Sequence, residues 1–129
     1  MLLRRSETEI MDALWSSQEP LSSAALIEAI PQRKWKERSI FAILDGLLKK
    51  EMICEAGFVR RGKTIARTFA PTMTYSEFIA RQVAEAGSPY KPTIPTLMSA
   101  FLGTQEVTEE TLTELEAMIA QKKAELENG

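Results

Sequence analysis

Histidine is absent from this 129-residue chain, and cysteine occurs once, as Cys54. The first absence removes the commonest general base and the commonest metal ligand together. A Ser-His-Asp triad, a Cys-His nucleophile pair and a zinc site are therefore excluded, and a lone cysteine cannot close an intrachain disulfide. No stretch approaches the roughly 18 uninterrupted apolar residues that a membrane span needs. The N-terminus meets Arg4 and Arg5 too soon to hold a secretory apolar core, so a cytoplasmic location is expected. Without a Gly-rich phosphate loop or a catalytic constellation, neither an enzyme nor a bound cofactor or metal is expected.

What is present fits one compact domain with a modest appendage. The net charge of −2 hides an asymmetry. Up to Ala70, twelve Lys and Arg face nine Asp and Glu, a net +3; from Pro71 onward four face nine, a net −5. A basic half joined to an acidic half implies that the first half alone meets a polyanion.

Along the chain, Ser6-Glu7-Thr8-Glu9 reads as a capping box opening a helix with Ile10, Met11, Leu14 and Trp15 on one stripe. After Pro20, Ser22 or Ser23 starts a second short helix with Leu26, Ile27 and Ile30 inward, stopped by Pro31. A third helix is predicted over residues 37–50. At 100° per residue Ile40, Ile43, Leu44 and Leu47 share one face, and Arg38, Ala42, Asp45 and Lys49 lie opposite, flanked by Ser39, Phe41 and Gly46. The period then changes: residues 52–59 and 65–69 flank Arg60-Arg61-Gly62-Lys63, a β-hairpin with a basic tip and a glycine turn. Three helices followed by such a hairpin is the winged-helix order.

Beyond Pro71 the pattern is helical again. Thr74-Tyr75-Ser76-Glu77 is a second capping box, ahead of Phe78, Ile79 and Val83. Gly87-Ser88-Pro89 and Lys91-Pro92 form a break that suits a hinge. Pro95 fits the first turn of a helix holding Leu97, Met98, Phe101 and Leu102. Thr108-Glu109-Glu110 starts the last helix, in which Leu112, Leu115, Ile119 and Leu126 keep a three-four spacing, with Lys122 in the missing place. The expected fold class is mostly α with a small β-hairpin: a winged helix-turn-helix domain over 1–73 and a helical dimerisation region over 74–129.

In a helix-turn-helix the second helix of the pair enters the major groove. Here that is the third helix, which makes Arg38, Ser39, Phe41, Ala42, Asp45 and Lys49 candidate DNA contacts. Arg60, Arg61, Lys63 and, further along the strand, Arg67 are candidate phosphate contacts. Arg33, Lys34 and Lys36 form a second basic cluster ahead of that helix. The alternatives are a solvated face on an ordinary helical trio and a charged turn that keeps the hairpin soluble. Phe78, Leu97, Met98, Phe101, Leu102, Leu112, Leu115 and Ile119 are candidate dimerisation residues, since a narrow-striped helix of about 20 residues does not stay folded alone. The alternative for that stripe is an intramolecular cap.

Taken in order, these residues resemble the penicillinase-repressor family, which includes the β-lactamase, methicillin-resistance and copper-responsive repressors. The resemblance rests on Glu7-Thr8-Glu9-Ile10-Met11-Asp12 with Leu14-Trp15, on 22–30, on Trp35, on Arg38-Ser39-Ile40 through Leu47-Leu48-Lys49-Lys50, and on Ile53 and Phe69-Ala70-Pro71. The stretch 94–101 and the run from Val107-Thr108-Glu109-Glu110 to Leu115 complete it. It implies a homodimeric repressor on a palindromic operator in double-stranded DNA, controlling antibiotic-resistance or stress genes. It also implies a membrane sensor protease as a partner, cutting at a bond similar in position to Ala100-Phe101; the antibiotic-responsive members carry Asn before that Phe. The cysteine cluster of the copper-responsive members is absent here. Phe41, Ala42, Asp45 and Gly46 depart from the Thr, Arg and Lys usual along the groove-facing helix. That departure keeps a second function open, a winged-helix protein-interaction module with reduced or no DNA binding.

Overall fold

Helix α1 spans Arg5–Ser16 and turns Ile10, Met11 and Leu14 into the core, as its apolar stripe requires. Its start corrects the expected Ser6 cap. The Arg4 amide donates to Glu7 Oε1 at 2.8 Å, so Glu7 at the third helical position is the reciprocating glutamate, and Ser6 lies within the first turn. The computed structural model describes residues 2–85 and 93–129. Strand β1, Leu21–Ser22, leads directly into α2, Ser23–Ala29, and the Ser22 hydroxyl accepts from the Ala25 amide at 3.2 Å. The single helix expected over 37–50 is a 3-10 turn, Glu37–Ser39, followed by α3, Ile40–Lys49. Within that tightened entry the Ser39 amide donates to the Lys36 carbonyl at 2.8 Å.

The end of α3 is a Schellman motif: Met52 N–H donates to the Leu47 carbonyl and Glu51 N–H to that of Leu48, both at 3.0 Å. Glu51 holds the left-handed position with φ 59°, where glycine is usual. Strands β2, Ile53–Arg61, and β3, Thr64–Pro71, are longer than expected because Arg60 and Arg61 pair in register with Ile65 and Thr64. The turn shrinks to Gly62 and Lys63, with Gly62 at φ 62° in the first loop position. A bulge between Glu55 and Gly57 bends β2 where Gly57 takes φ 147°. The sheet order β1-β3-β2 pairs Leu21 with Phe69 and Ser22 with Thr68. Two residues are too few to show a period of two, so β1 is invisible to pattern reading.

Ile10, Met11, Leu14, Leu26, Ile30, Ile40, Leu44, Leu47, Met52, Ile53 and Phe69 form one buried cluster shared by α1, α2, α3 and the sheet. Helix α4, Tyr75–Ala84, follows a capping box at Thr74 and Glu77. The Trp15 indole N–H donates to the Met73 carbonyl at 2.9 Å, and the Trp15 ring meets Tyr75 at 5.2 Å and Phe78 at 5.3 Å between centroids. Those contacts bind the start of α4 to α1. The chain divides into the compact units Met1–Gly87 and Ser88–Gly129. A division placed at 73/74 on hydrophobic pattern alone would separate α4 from the aromatic residue it packs on. The expected hinge residues Gly87, Ser88, Pro89, Lys91 and Pro92 lie outside the described residues.

In the second unit Thr93 caps α5, Ile94–Thr104, and Thr108 caps α6, Glu109–Asn128, each hydroxyl accepting an amide three residues on. Neither helix carries a buried residue, and Ile94, Phe101, Leu102, Leu112, Met118, Ile119 and Leu126 are all exposed.

Candidate nucleic-acid interface

Helix α3 shows its outer face because its inner one is filled. Ile40, Leu44 and Leu47 are buried, which leaves Phe41, Ala42, Asp45 and Lys49 exposed on the other side, with Phe41 60% exposed. Asp45 Oδ2 and Lys49 Nζ lie 3.3 Å apart, so the carboxylate on this face is paired within its own helix. Arg38 is exposed in the preceding turn, and Ser39 is half-buried at the start of α3, its hydroxyl making no capping bond.

Two shallow concavities flank this face. One of about 400 Å³ is lined by Phe41, Ala42, Leu44, Asp45, Leu48 and Arg67, and it carries the surface of α3 onto the hairpin. The other, of about 240 Å³, is lined by Arg4, Ser6, Glu7, Ala42, Gly46 and Lys50 among others, and carries it onto the N-terminus of α1. Ala42 borders both. Pattern reading missed Arg4 here, because its sequence position says nothing of its closeness to α3. Arg4 shares that flank with Lys50 and with the Glu7 carboxylate, which already accepts the Arg4 amide at the N-terminus of α1.

The predicted basic residues do not form one free set. Arg60 and Lys63 are exposed and have no ion pair among the described residues. Arg61 turns back on its own unit, with its guanidinium 3.4 Å from Ser22 Oγ and 3.5 Å from Glu28 Oε1. Arg67 pairs with Glu55 and stands over the Phe69 ring at 5.4 Å. Of the second basic cluster, Arg33 is structural: it donates to the Ile27 and Ile30 carbonyls at 3.2 Å, bonds Glu37 at 3.1 Å and stands over Trp35. It neutralises the end of α2, so its charge is engaged within its own unit. Lys34 and Lys36 remain exposed.

Behind α3, Lys50 Nζ donates to the buried Glu7 carboxylate at 2.6 Å. Burial pushes the Glu7 pKa up, but the hydrogen bonds from Lys50 and the Arg4 amide, with the charges of both residues, outweigh it and hold the carboxyl below its ordinary value. Gly46 faces this group; a Cβ there would lie 3.1 Å from Glu7 Oε2. The glycine in α3 thus marks a close approach to α1, a role that composition of the outer face does not reveal.

The family model described as penicillinase repressor matches residues 3–121. The chain belongs to the penicillinase repressor family. It is accordingly a winged-helix, DNA-binding transcriptional regulator, a class that is generally non-enzymatic. No curated protein matches the sequence. Solved structures similar to this penicillinase-repressor chain include a mutant of MepR from a multidrug resistant S. aureus clinical isolate, at 15% identity. That match covers 97% of this chain and 80% of the other, with a TM-score of 0.49. Bacillus subtilis PadR in complex with operator DNA is also 15% identical, over 97% of this chain and 73% of the other, at 0.49. S. aureus MarR with salicylate and kanamycin is 11% identical, over 98% and 75%, at 0.45. Among the described residues no helix is long and apolar enough to cross a membrane, and no group of three or more His, Cys, Asp or Glu is placed to hold a metal.

Proposed function

We propose that this chain is a homodimeric, cytoplasmic repressor that places α3 in the major groove of each half of a palindromic operator, with the hairpin as wing. The observation that supports it is the exposed outer face of α3, continuous with the hairpin on one side and with Arg4 on the other, together with Arg60 and Lys63 toward the wing tip, which have no ion pair among the described residues. On this reading Phe41 and Ala42 meet thymine methyl groups, and Asp45, screened by Lys49, accepts from a cytosine amine. Dimerisation is assigned to Leu97, Met98, Phe101, Leu102, Leu112, Leu115 and Ile119, because α5 and α6 bury no residue and apolar surface of that extent calls for a second copy. Phe78 spends part of its surface on Trp15 and offers the dimer only the remainder.

Control of resistance or stress genes belongs to the same proposal, as does release by a membrane sensor protease. The Ala100–Phe101 bond is its candidate target: both residues are exposed, within α5, where Thr104 Oγ1 donates to the Ala100 carbonyl at 2.8 Å. Cleavage there requires α5 to open locally. A second reading, a protein-interaction module, is favoured by the exposed Phe41, Phe58 and Ile65. Binding-site selection from a randomised duplex pool, followed by salt titration, separates the two. About four to six phosphate contacts per dimer give a log–log slope near −4 to −5. Salt-independent affinity, or no enrichment by folded dimer, overturns the DNA reading.

A further inference from the structure

The two faces of the β2–β3 hairpin are unlike. Cross-strand partners share a face, so Phe58 with Arg67 and Arg60 with Ile65 occupy one side, and Val59 with Ala66 and Arg61 with Thr64 the other. The second side sends Arg61 back to Ser22 and Glu28. The first is continuous with the outer face of α3, because Arg67 lines the same concavity as Phe41, Ala42 and Asp45. On that first side Phe58 is 73% and Ile65 63% exposed, and they are diagonal neighbours with Arg60 and Arg67 at the other two corners.

Two large apolar side chains on a solvated hairpin cost the protein solubility and add nothing to its core. Set beside Arg60, which has no ion pair among the described residues, they suit a ligand that is anionic outside and apolar within. Double-stranded DNA has that chemistry at a base step opened from the minor groove: phosphates at the rim and base faces inside. We propose that Phe58 and Ile65 are an apolar wedge that enters the minor groove beside the α3 contact and unstacks one base step in each half-site, while Arg60 holds the flanking phosphate. Arg67, tied to Glu55, fixes the side of the wedge nearer α3. This rests on the DNA-binding reading above. It adds that the operator is deformed on binding and that its wing-contacted segment carries an easily opened pyrimidine–purine step.

The test uses the full-length protein and the duplex recovered by selection, with 2-aminopurine replacing each adenine in turn. The expected result is a rise in emission at one step per half-site on binding, lost in Phe58→Ala/Ile65→Ala while the duplex is still retained at low salt. Phe58→Leu keeps the rise. Both side chains are exposed, so the variants leave the core intact. Binding by the wild-type protein without any change in emission overturns the wedge and leaves the DNA reading standing. Failure of folded wild-type protein to bind any duplex overturns both. Capture of a second protein on this face, with the emission unchanged in DNA complexes, assigns the patch to a protein partner and also overturns the wedge.

Discussion

Lys50, at the close of α3, donates to the buried carboxylate of Glu7 in α1 across 43 residues of sequence. The pair ties the helix that presents the candidate DNA face to the helix that supports it. Removing the cation leaves a buried charge with the Arg4 amide as its remaining donor among the described residues. Lys50→Met is expected to cost about 2 kcal/mol, read as a lower urea midpoint with unchanged slope.

The same carboxyl sets a pH dependence. Its folded pKa lies below the unfolded one, so in that window the unfolded chain binds more protons. Its stabilising contribution is full above the ordinary glutamate value, about 4.3, and is lost as pH falls through the lowered folded value. Urea unfolding at pH 7 and at pH 3.5 is expected to show a smaller acid-induced loss in Glu7→Gln than in the natural chain. An equal loss in both would remove Glu7 from the account.

Gly46→Ala brings two opposed effects. Alanine favours the helix by about 1 kcal/mol, but its Cβ would press on Oε2 of a carboxylate whose other oxygen, Oε1, is held by Lys50 and the Arg4 amide. Little or no net gain is expected in the natural chain, and a gain approaching about 1 kcal/mol in a Glu7→Ala background. Thermal melts of the four proteins measure the coupling; strict additivity would show that the contact is relaxed at no cost.

Glu51 occupies a left-handed backbone position that a Cβ disfavours by about 1–2 kcal/mol. Its carbonyl accepts from the Thr72 hydroxyl at 2.7 Å, a bond that glycine keeps. After the entropy that glycine adds to the unfolded chain, Glu51→Gly is expected to stabilise by a net of about 0.5 kcal/mol or more. A lowered melting temperature would argue against that geometry.

At the interface, Arg60→Ala and Lys63→Ala are each expected to weaken binding across all duplexes and to lower the salt slope by about 1 per site. Phe41→Ala is expected instead to relax preference at one base position and leave the slope alone. For the second unit, Ile119→Asp is expected to give a monomer by sedimentation equilibrium, with far-ultraviolet dichroism of the first unit retained.

Helix existence, the order of elements and the inward residues were legible in sequence because burial imposes periods of 3.6 and 2 on apolar residues. Ile40, Leu44 and Leu47 are buried as that rule requires. What escaped was set by three-dimensional neighbours. Ser6 with Glu9 fits a capping box in the string, yet the box closes between Arg4 and Glu7, a glutamate that Lys50, 43 residues away, also bonds. Arg33 looks like its basic neighbours until the carbonyls at the end of α2 claim it. Arg61 and Arg67 count as wing charge in a string, yet Glu28 and Glu55 neutralise them in space. Composition recorded the cations; it could not say which were already spoken for.

Ser22 belongs to three arrangements at once. It pairs with Thr68 in the sheet, caps α2 through its hydroxyl, and lies at hydrogen-bonding distance from the guanidinium of the wing residue Arg61. The wing is thereby linked to the helix-turn-helix at one buried oxygen, beside the reach of the same guanidinium to Glu28 of α2. A tilt of the hairpin would therefore pull on the start of α2, so the position of the wing and the seating of that helix are coupled.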